Sequence, residues 1–333
     1  MKKCNKGRRF TIPNLFLILS INFLLAGCGK SKDEPAVTPP PVTPPSGDTT
    51  TTTTNPPPAP ADSVTLNWGD GVNLQPSYYN GGNVNFGWPL MKQKSKIKIV
   101  RIEIEPTISI ALAKSWIHQA DSSGYKVIAT YHKYTVLGSD NVNDLLAAAN
   151  WWKTNYSALS ESDSFTITLM PAWGDHNISS NDYATDYNQA ISIVRQVYNG
   201  PIIIDCPGWG QETTTAAAAI KGTNGVQISD TNIVVSVHIY PNGWNQAKNH
   251  SLQIADLDEL AAAGRPCIVG EFGSLPAGSA DWSGMVAHAK SKGWPVLGWS
   301  WNGDGGDMNM VAPSWSNNAS ATSFSTSAYF DVI

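Results

Sequence analysis

Charge is scarce in this chain. Only 14% of its 333 residues are Asp, Glu, Lys or Arg, and the formal net charge is −4. Residues 1–27 hold five basic residues and no acidic one, so residues 28–333 carry −9. A domain that acidic lacks the basic footprint that phosphate backbones require, which excludes nucleic acid as a partner. Cysteine is scarce as well. Of four, Cys4 and Cys28 lie near the start, while Cys206 and Cys267 each sit inside an apolar run. Two isolated thiols give no metal-ligand spacing, and the six His are scattered, so the sequence calls for no cofactor and no metal. Cys206 and Cys267 read as buried thiols, with a disulfide between them left open in an oxidising compartment. Long hydrophobic runs are also missing. The most apolar stretch, residues 10–26, is interrupted by Pro13, Asn14 and Asn22 and is too short for a good membrane span.

What is present starts with an address. A basic segment, residues 1–9, precedes that apolar stretch, which ends in Leu25-Ala26-Gly27-Cys28. This resembles a bacterial lipoprotein signal. The resemblance implies removal of residues 1–27 and a lipid anchor on Cys28. An ordinary secretory signal with a coincident Cys is the alternative. Gly29-Lys30-Ser31-Lys32-Asp33-Glu34 resembles the charged stretch after the lipidated Cys in surface-exposed lipoproteins of the Bacteroidota. It implies an outer-membrane, cell-surface location. Residues 35–61 hold ten Pro and eight Thr. Such a segment buries no core and favours extended polyproline II. Residues 28–61 therefore read as the lipidated Cys plus a stalk, whose last 27 residues reach up to ~80 Å at ~3.1 Å each. Residues 62–333 remain, the size of one α/β barrel.

From residue 62 onward, eight short β-rich runs alternate with helix-length segments. The runs are 71–74, 97–105, 126–131, 165–170, 202–206, 233–240, 267–272 and 296–301. Residues 143–158 show apolar side chains near helical period, and 183–197, 257–263 and 282–292 read similarly. Alternating β and α with near-continuous apolar strands predicts a parallel sheet covered by helices. Eight repeats favour a (β/α)8 TIM barrel over a doubly wound sheet. In a barrel, chemistry sits at the C-terminal strand ends. Those ends carry Arg101, Glu103, Glu105, His132, Trp173, Trp209, Gln211, His238, Tyr240, Glu271 and Trp301. Trp244, Trp299 and Trp315 also lie at or after strand ends. Indoles there suit the apolar faces of pyranose rings, with Trp173 and Trp301 expected foremost in a cleft. Trp116, Trp151 and Trp152 fall in helical stretches and read as core.

Taken in order, several motifs resemble glycoside hydrolase family 5, in its β-mannanase-like form. They are Gly71-Val72-Asn73-Leu74, Arg101, His132, His238-x-Tyr240, Gly270-Glu271-Phe272-Gly273 and Gly298-Trp299-Ser300-Trp301-Asn302-Gly303. The resemblance runs through most of residues 72–311. It implies a retaining enzyme that cuts β-1,4-linked glycans with two Glu. By it, Glu271 takes the nucleophile position, and Arg101 and Tyr240 hold that carboxylate ionised and oriented. His132 and His238 match substrate and acid/base partners, and Trp301 matches the platform under the sugar at the cleavage point.

One position departs. The family's fourth strand ends in Asn-Glu, where the Asn holds the sugar 2-hydroxyl and the Glu is the acid/base. Here the segment reads Thr168-Leu169-Met170-Pro171-Ala172-Trp173-Gly174-Asp175-His176, so the pair becomes Pro171-Ala172. Retaining hydrolysis needs two carboxyls ~5–5.5 Å apart. General acid–base help is worth ~10²–10⁴ in rate. The sequence therefore predicts a surface-anchored protein that recognises a β-1,4-glycan, β-mannan favoured, with catalysis absent or severely impaired. The alternative is an active endo-β-1,4-mannanase or cellulase with a relocated acid, for which Asp175, Glu212, Glu103 and Glu105 are the candidates.

Overall fold

The computed structural model describes residues 66–332; the signal, Cys28 and the Pro/Thr-rich segment lie outside the described residues. Eight parallel strands close a barrel: β1 (Asp70–Leu74), β2 (Ile97–Ile104), β3 (Lys126–Tyr131), β4 (Thr166–Thr168), β5 (Ile202–Asp205), β6 (Ile233–Ile239), β7 (Cys267–Phe272) and β8 (Val296–Asn302). Each strand pairs with its sequence neighbours and β8 closes on β1. Closure excludes the doubly wound alternative. The outer ring holds α1 (Ile110–Ser122), α2 (Val142–Leu159), α3 (Ser180–Val194), α4 (Thr213–Lys221), α5 (Ile254–Ala261) and α6 (Trp282–Ser291). Ser109, Asn141, Ser179 and Asp281 each accept a backbone N–H at a helix start, which satisfies donors the helix itself leaves unpaired.

The barrel interior follows from strand alternation. Ile99, Ile128, Ile203, Val234, Ile268 and Leu297 form one buried apolar layer, closed below by Leu66. Side chains on one face of a strand recur every second residue. Two residues further on, the same strands present Arg101, Thr130, Asp205, Ser236 and Gly270. The interior thus turns polar toward the C-terminal strand ends, and the first four of those groups are buried.

A local irregularity places the key carboxylate. Val237 pairs with Val269, but His238 pairs with Glu271, so Gly270 is the extra residue in β7. A Cβ on Gly270 would stand 2.1 Å from Ser236 Oγ, which leaves room for glycine alone. Asn73 Nδ2 donates to the Gly270 carbonyl at 3.0 Å and fixes the bulge.

Trp116 and Trp152 are buried among the helices, as expected of helical tryptophans. Cys206 and Cys267 are both buried and free, so the disulfide left open by the sequence is not formed.

Candidate functional site

Glu271 lies at the centre of the C-terminal face. Arg101 Nη1 donates to its Oε1 at 3.0 Å, and the Tyr240 hydroxyl donates to Oε2 at 3.0 Å. His238 Nδ1 lies 3.6 Å from the same Oε2. Arg101 is buried, held by Asn73 Oδ1 at 3.0 Å, Glu103 Oε1 at 2.8 Å and Asp205 Oδ2 at 3.8 Å. Burial alone would raise the Glu271 carboxyl, but the charges of His238 and Arg101 outweigh it and leave it below the usual carboxylate range. Burial opposes a charged His238, yet Glu271 and Asp205 hold its imidazole above its ordinary value. Asp205 is brought down to about 2: burial opposes ionisation, and the charge and hydrogen bond of His238 more than offset it. Burial beside the Glu271 charge pushes the Tyr240 phenol well up, so it stays a donor. The result is an ionised, oriented carboxylate that can act as a nucleophile.

Glu271 opens into a cleft of about 840 Å³, the volume of an ordinary ligand site. His132, His238, Tyr240 and Trp209 line it, as the sequence led us to expect. Trp209 is 48% exposed. His132 Nδ1 meets the Tyr78 hydroxyl at 2.7 Å, and that hydroxyl donates to Glu105 at 2.5 Å.

Two expected cleft residues are elsewhere. Trp173 is fully buried: it packs on Tyr183 and Tyr187 and donates its indole N–H to the Asn141 carbonyl at 3.2 Å. Trp301 is also fully buried, with its N–H on the Phe86 carbonyl at 2.8 Å and its ring against Phe330. In both cases a loop returns over the strand end and supplies the acceptor that makes indole burial tolerable. Trp315 is buried too. The cleft wall on β8 is Trp299, whose Nε1 donates to Asp304 at 3.1 Å, and Trp244 lines the opposite loops.

At the end of β4, Pro171 and Ala172 line the cleft. Ala172 has φ 49, its N–H donates to Asp205 Oδ2 at 3.0 Å, and its carbonyl accepts from Gly138 N at 2.8 Å. Among the described residues, the carboxylates lining the cleft are Glu271 and Asp304. Both Asp304 oxygens are taken, one by Trp299 and the other by the backbone of Gly306 and Met308. Glu103, Glu105, Asp175 and Glu212 do not line it. Glu103 shares one Arg101 nitrogen with Glu271, at 2.8 Å and 3.0 Å. Yet Glu103 is buried beneath Arg101, away from any bound chain. Asp175 accepts the Asn177 N–H at 2.7 Å and so shapes its own loop. Among the described residues no cluster of His, Cys, Asp and Glu is placed to hold a metal ion.

Sequence reasoning missed Asp205 and His176. Asp205 was visible as a lone acid ending an apolar strand. His176 is tied to Glu212, a pairing across 36 residues that no local pattern signals.

The fold matches solved structures. The mannanase catalytic domain from Streptomyces sp. SirexAA-E superposes with a TM-score of 0.61 at 19% identity, covering 79% of this chain and 82% of that one. The β-mannanase of Streptomyces thermolilacinus, solved with mannohexaose, gives 0.59 at 19% identity over 76% and 85%. In sequence, the chain is 28% identical over 188 residues to a mannan endo-1,4-beta-mannosidase of Streptomyces lividans, covering 54% of this chain and 47% of that protein. A mannan endo-1,4-beta-mannosidase of Cellvibrio japonicus is 26% identical over 207 residues, 59% of this chain and 46% of that protein. The chain thus spans about half the length of these two relatives. Residues 94–305 match the cellulase family, glycosyl hydrolase family 5, well over half of the sequence, and the chain belongs to that family.

Proposed function

We propose that this protein recognises a β-1,4-linked glycan, β-mannan favoured, in the Glu271 cleft, with hydrolysis absent or severely impaired. The observation that carries the reading is the end of β4. There the sequence resemblance assigns the family's acid/base position to Ala172, and Asp304, the other carboxylate among the described residues lining the cleft, has both oxygens engaged by its own loop. Without a proton donor the departing sugar oxygen leaves as an alkoxide, which is slow. General acid–base help is worth ~10²–10⁴ in rate. Binding does not depend on that proton. Trp209, Trp244 and Trp299 line the cleft as surfaces for pyranose rings. The preference for mannan draws on the mannan endo-1,4-beta-mannosidases among the relatives and on the neighbour solved with mannohexaose. A neighbouring Thermobifida fusca endoglucanase was solved with cellotetraose, which keeps glucan as the comparison ligand. The lipoprotein-like start supports adding to this reading a lipid anchor at Cys28, an outer-membrane, cell-surface location and a role in holding glycan for uptake machinery.

A second reading has one observation in its favour. Arg101, Tyr240 and His238 still surround Glu271, so the nucleophilic half of a retaining mechanism is intact and a relocated acid would complete it. Calorimetry with mannohexaose, run beside a reducing-sugar assay on mannan, separates the two. Tight binding without new reducing ends supports recognition; hydrolysis at a typical enzyme rate overturns it.

A further inference from the structure

Lysine is unevenly placed in this acidic chain. Four lysines fall within residues 92–98, with no acidic residue among them. Ile97 and Ile99 are buried, and strand alternation turns Lys98 to the other face of β2, where it is exposed. Folding gathers more lysines around residues 68–70, which lead into β1. The Lys98 stem lies against Gly69, where a Cβ would stand 2.8 Å from Lys98 Cγ. Lys126, the first residue of β3, holds its Nζ 5.5 Å from the centre of the Trp68 ring. Lys290, near the end of α6, meets Asp70 Oδ2 at 3.2 Å. Lys96 lines a small recess together with Asp70 and Lys290.

Lys96, Lys98, Lys126 and Lys290 are all exposed, and they form a collar at the N-terminal ends of β1, β2, β3 and β8. That end of the barrel lies opposite the Glu271 cleft. The cleft end has the other sign. Asp140, Asp144, Asp175, Asp304 and Asp307 follow the C-terminal strand ends. The lysines there are offset by acids: Lys133 lies 3.9 Å from Asp144, and Lys248 lies 3.7 Å from Glu259. Charge is therefore separated along the barrel axis. An anionic plane attracts one end of such a molecule and repels the other.

We propose that the collar docks the barrel on the anionic headgroups of the membrane surface, so that the Glu271 cleft points away from the lipid. This rests on the anchor at Cys28, which precedes the collar in sequence and keeps the protein at that surface. The partner is a phosphate-bearing lipid, since a lysine ammonium pairs with phosphate as a compact point charge. One lysine beside an anionic leaflet favours the docked state about five-fold, and several together multiply that factor. The attraction fades beyond a Debye length of about 10 Å. An anchored protein is held within reach of the leaflet, so modest attraction is enough to set its orientation.

The test places the full chain in two kinds of nanodisc, phosphatidylcholine alone and phosphatidylcholine with phosphatidylglycerol. Lysine acetylation by a succinimidyl ester is then followed residue by residue with mass spectrometry. At low salt, Lys96, Lys98, Lys126 and Lys290 should label about five-fold or more slowly on the anionic discs, and high salt should abolish the difference. Lys133 and Lys248, at the cleft end, should label equally on both. Lys98→Glu with Lys126→Glu should remove the protection of Lys96 and Lys290 and leave mannohexaose affinity unchanged. If that pair does not fold, Lys96→Ala with Lys290→Ala gives the same reading at Lys98 and Lys126. Equal labelling of the collar on both discs by an inserted protein overturns the docking and leaves the anchor standing. A chain that enters neither disc removes the anchor at Cys28. Cosedimentation with vesicles of the same two compositions then decides the collar: binding to the anionic vesicles alone supports it, and binding to neither overturns it.

Discussion

Ala172 donates its backbone N–H to Asp205 Oδ2 at 3.0 Å, and that same oxygen lies 3.0 Å from His238 Nε2. The loop at the proposed acid/base position is thereby linked, through one buried carboxylate, to the imidazole beside Glu271. Asp205 is a support for the site rather than a reacting group. It is fully buried and does not line the cleft.

This gives stability a defined pH dependence. Asp205 is lowered to about 2 in the folded protein, and Glu271 is lowered as well. A carboxylate held below its unfolded value stabilises the fold above that unfolded value and loses the contribution as pH falls through the folded one. Denaturant unfolding should therefore show stability dropping between about pH 4 and pH 2. His238 is raised, so its contribution is complete below its ordinary value of 6.5 and fades as pH climbs through the raised one. Asp205→Asn removes the buried charge that faces both His238 and Arg101. It should cost ~3–5 kcal/mol at neutral pH and flatten the acid limb, with the part due to Glu271 remaining.

The two β8 tryptophans should behave differently. Trp301→Ala empties a fully buried site and should destabilise the barrel by ~3–5 kcal/mol. Trp299→Ala changes the cleft wall and should reduce mannohexaose affinity by about 10-fold or more, with a much smaller change in thermal midpoint. Calorimetry and thermal melts on both variants check this; a reversed pattern would place the platform at Trp301 after all.

Acid restoration is a direct chemical test. Pro171→Asn with Ala172→Glu puts a carboxyl and an amide at the end of β4, at the proposed acid/base position. Polymer hydrolysis should rise ~10²-fold or more, the lower range for an acid–base group. The left-handed φ of 49 at Ala172 is already borne by a residue with a Cβ, so Glu adds little backbone cost. Reducing-sugar release from mannan by the double variant, against the parent, gives the answer. No gain in a folded double variant would mean that the strand-4 substitution is not what limits catalysis.

The anchor is checked in cells. Cys28→Ala should abolish incorporation of labelled fatty acid and release the protein from the membrane fraction. Retained acylation would move the anchor elsewhere.

Much of the framework was legible because strand burial and sequence period coincide. The eight apolar runs became the eight barrel strands, and Arg101, His238, Tyr240 and Glu271 converged because barrel geometry gathers C-terminal strand ends. The tryptophans were harder. Trp173 and Trp301 sit at strand ends, yet whether an indole faces cleft or core depends on which loop folds back with a free carbonyl. Asn141 and Phe86 supply those carbonyls from distant segments. The run 165–170 also shortened to Thr166–Thr168. Leu169 still donates its N–H to the Ile203 carbonyl of β5 at 3.0 Å, and Leu169 and Met170 remain buried, so their apolarity outlasts the regular ladder. His176 with Glu212 left no trace in sequence, because that contact exists only once three loops have closed on it.

The central claim is a cleft that binds without cutting, and one incubation tests it. The protein is held with saturating mannohexaose, binding is followed by calorimetry, and the sugar is then resolved by chain length. We expect bound, intact mannohexaose after many hours. Shorter mannosides formed at an ordinary enzymatic rate, and lost with Glu271→Ala, would contradict the claim and require a proton donor other than the strand-4 position.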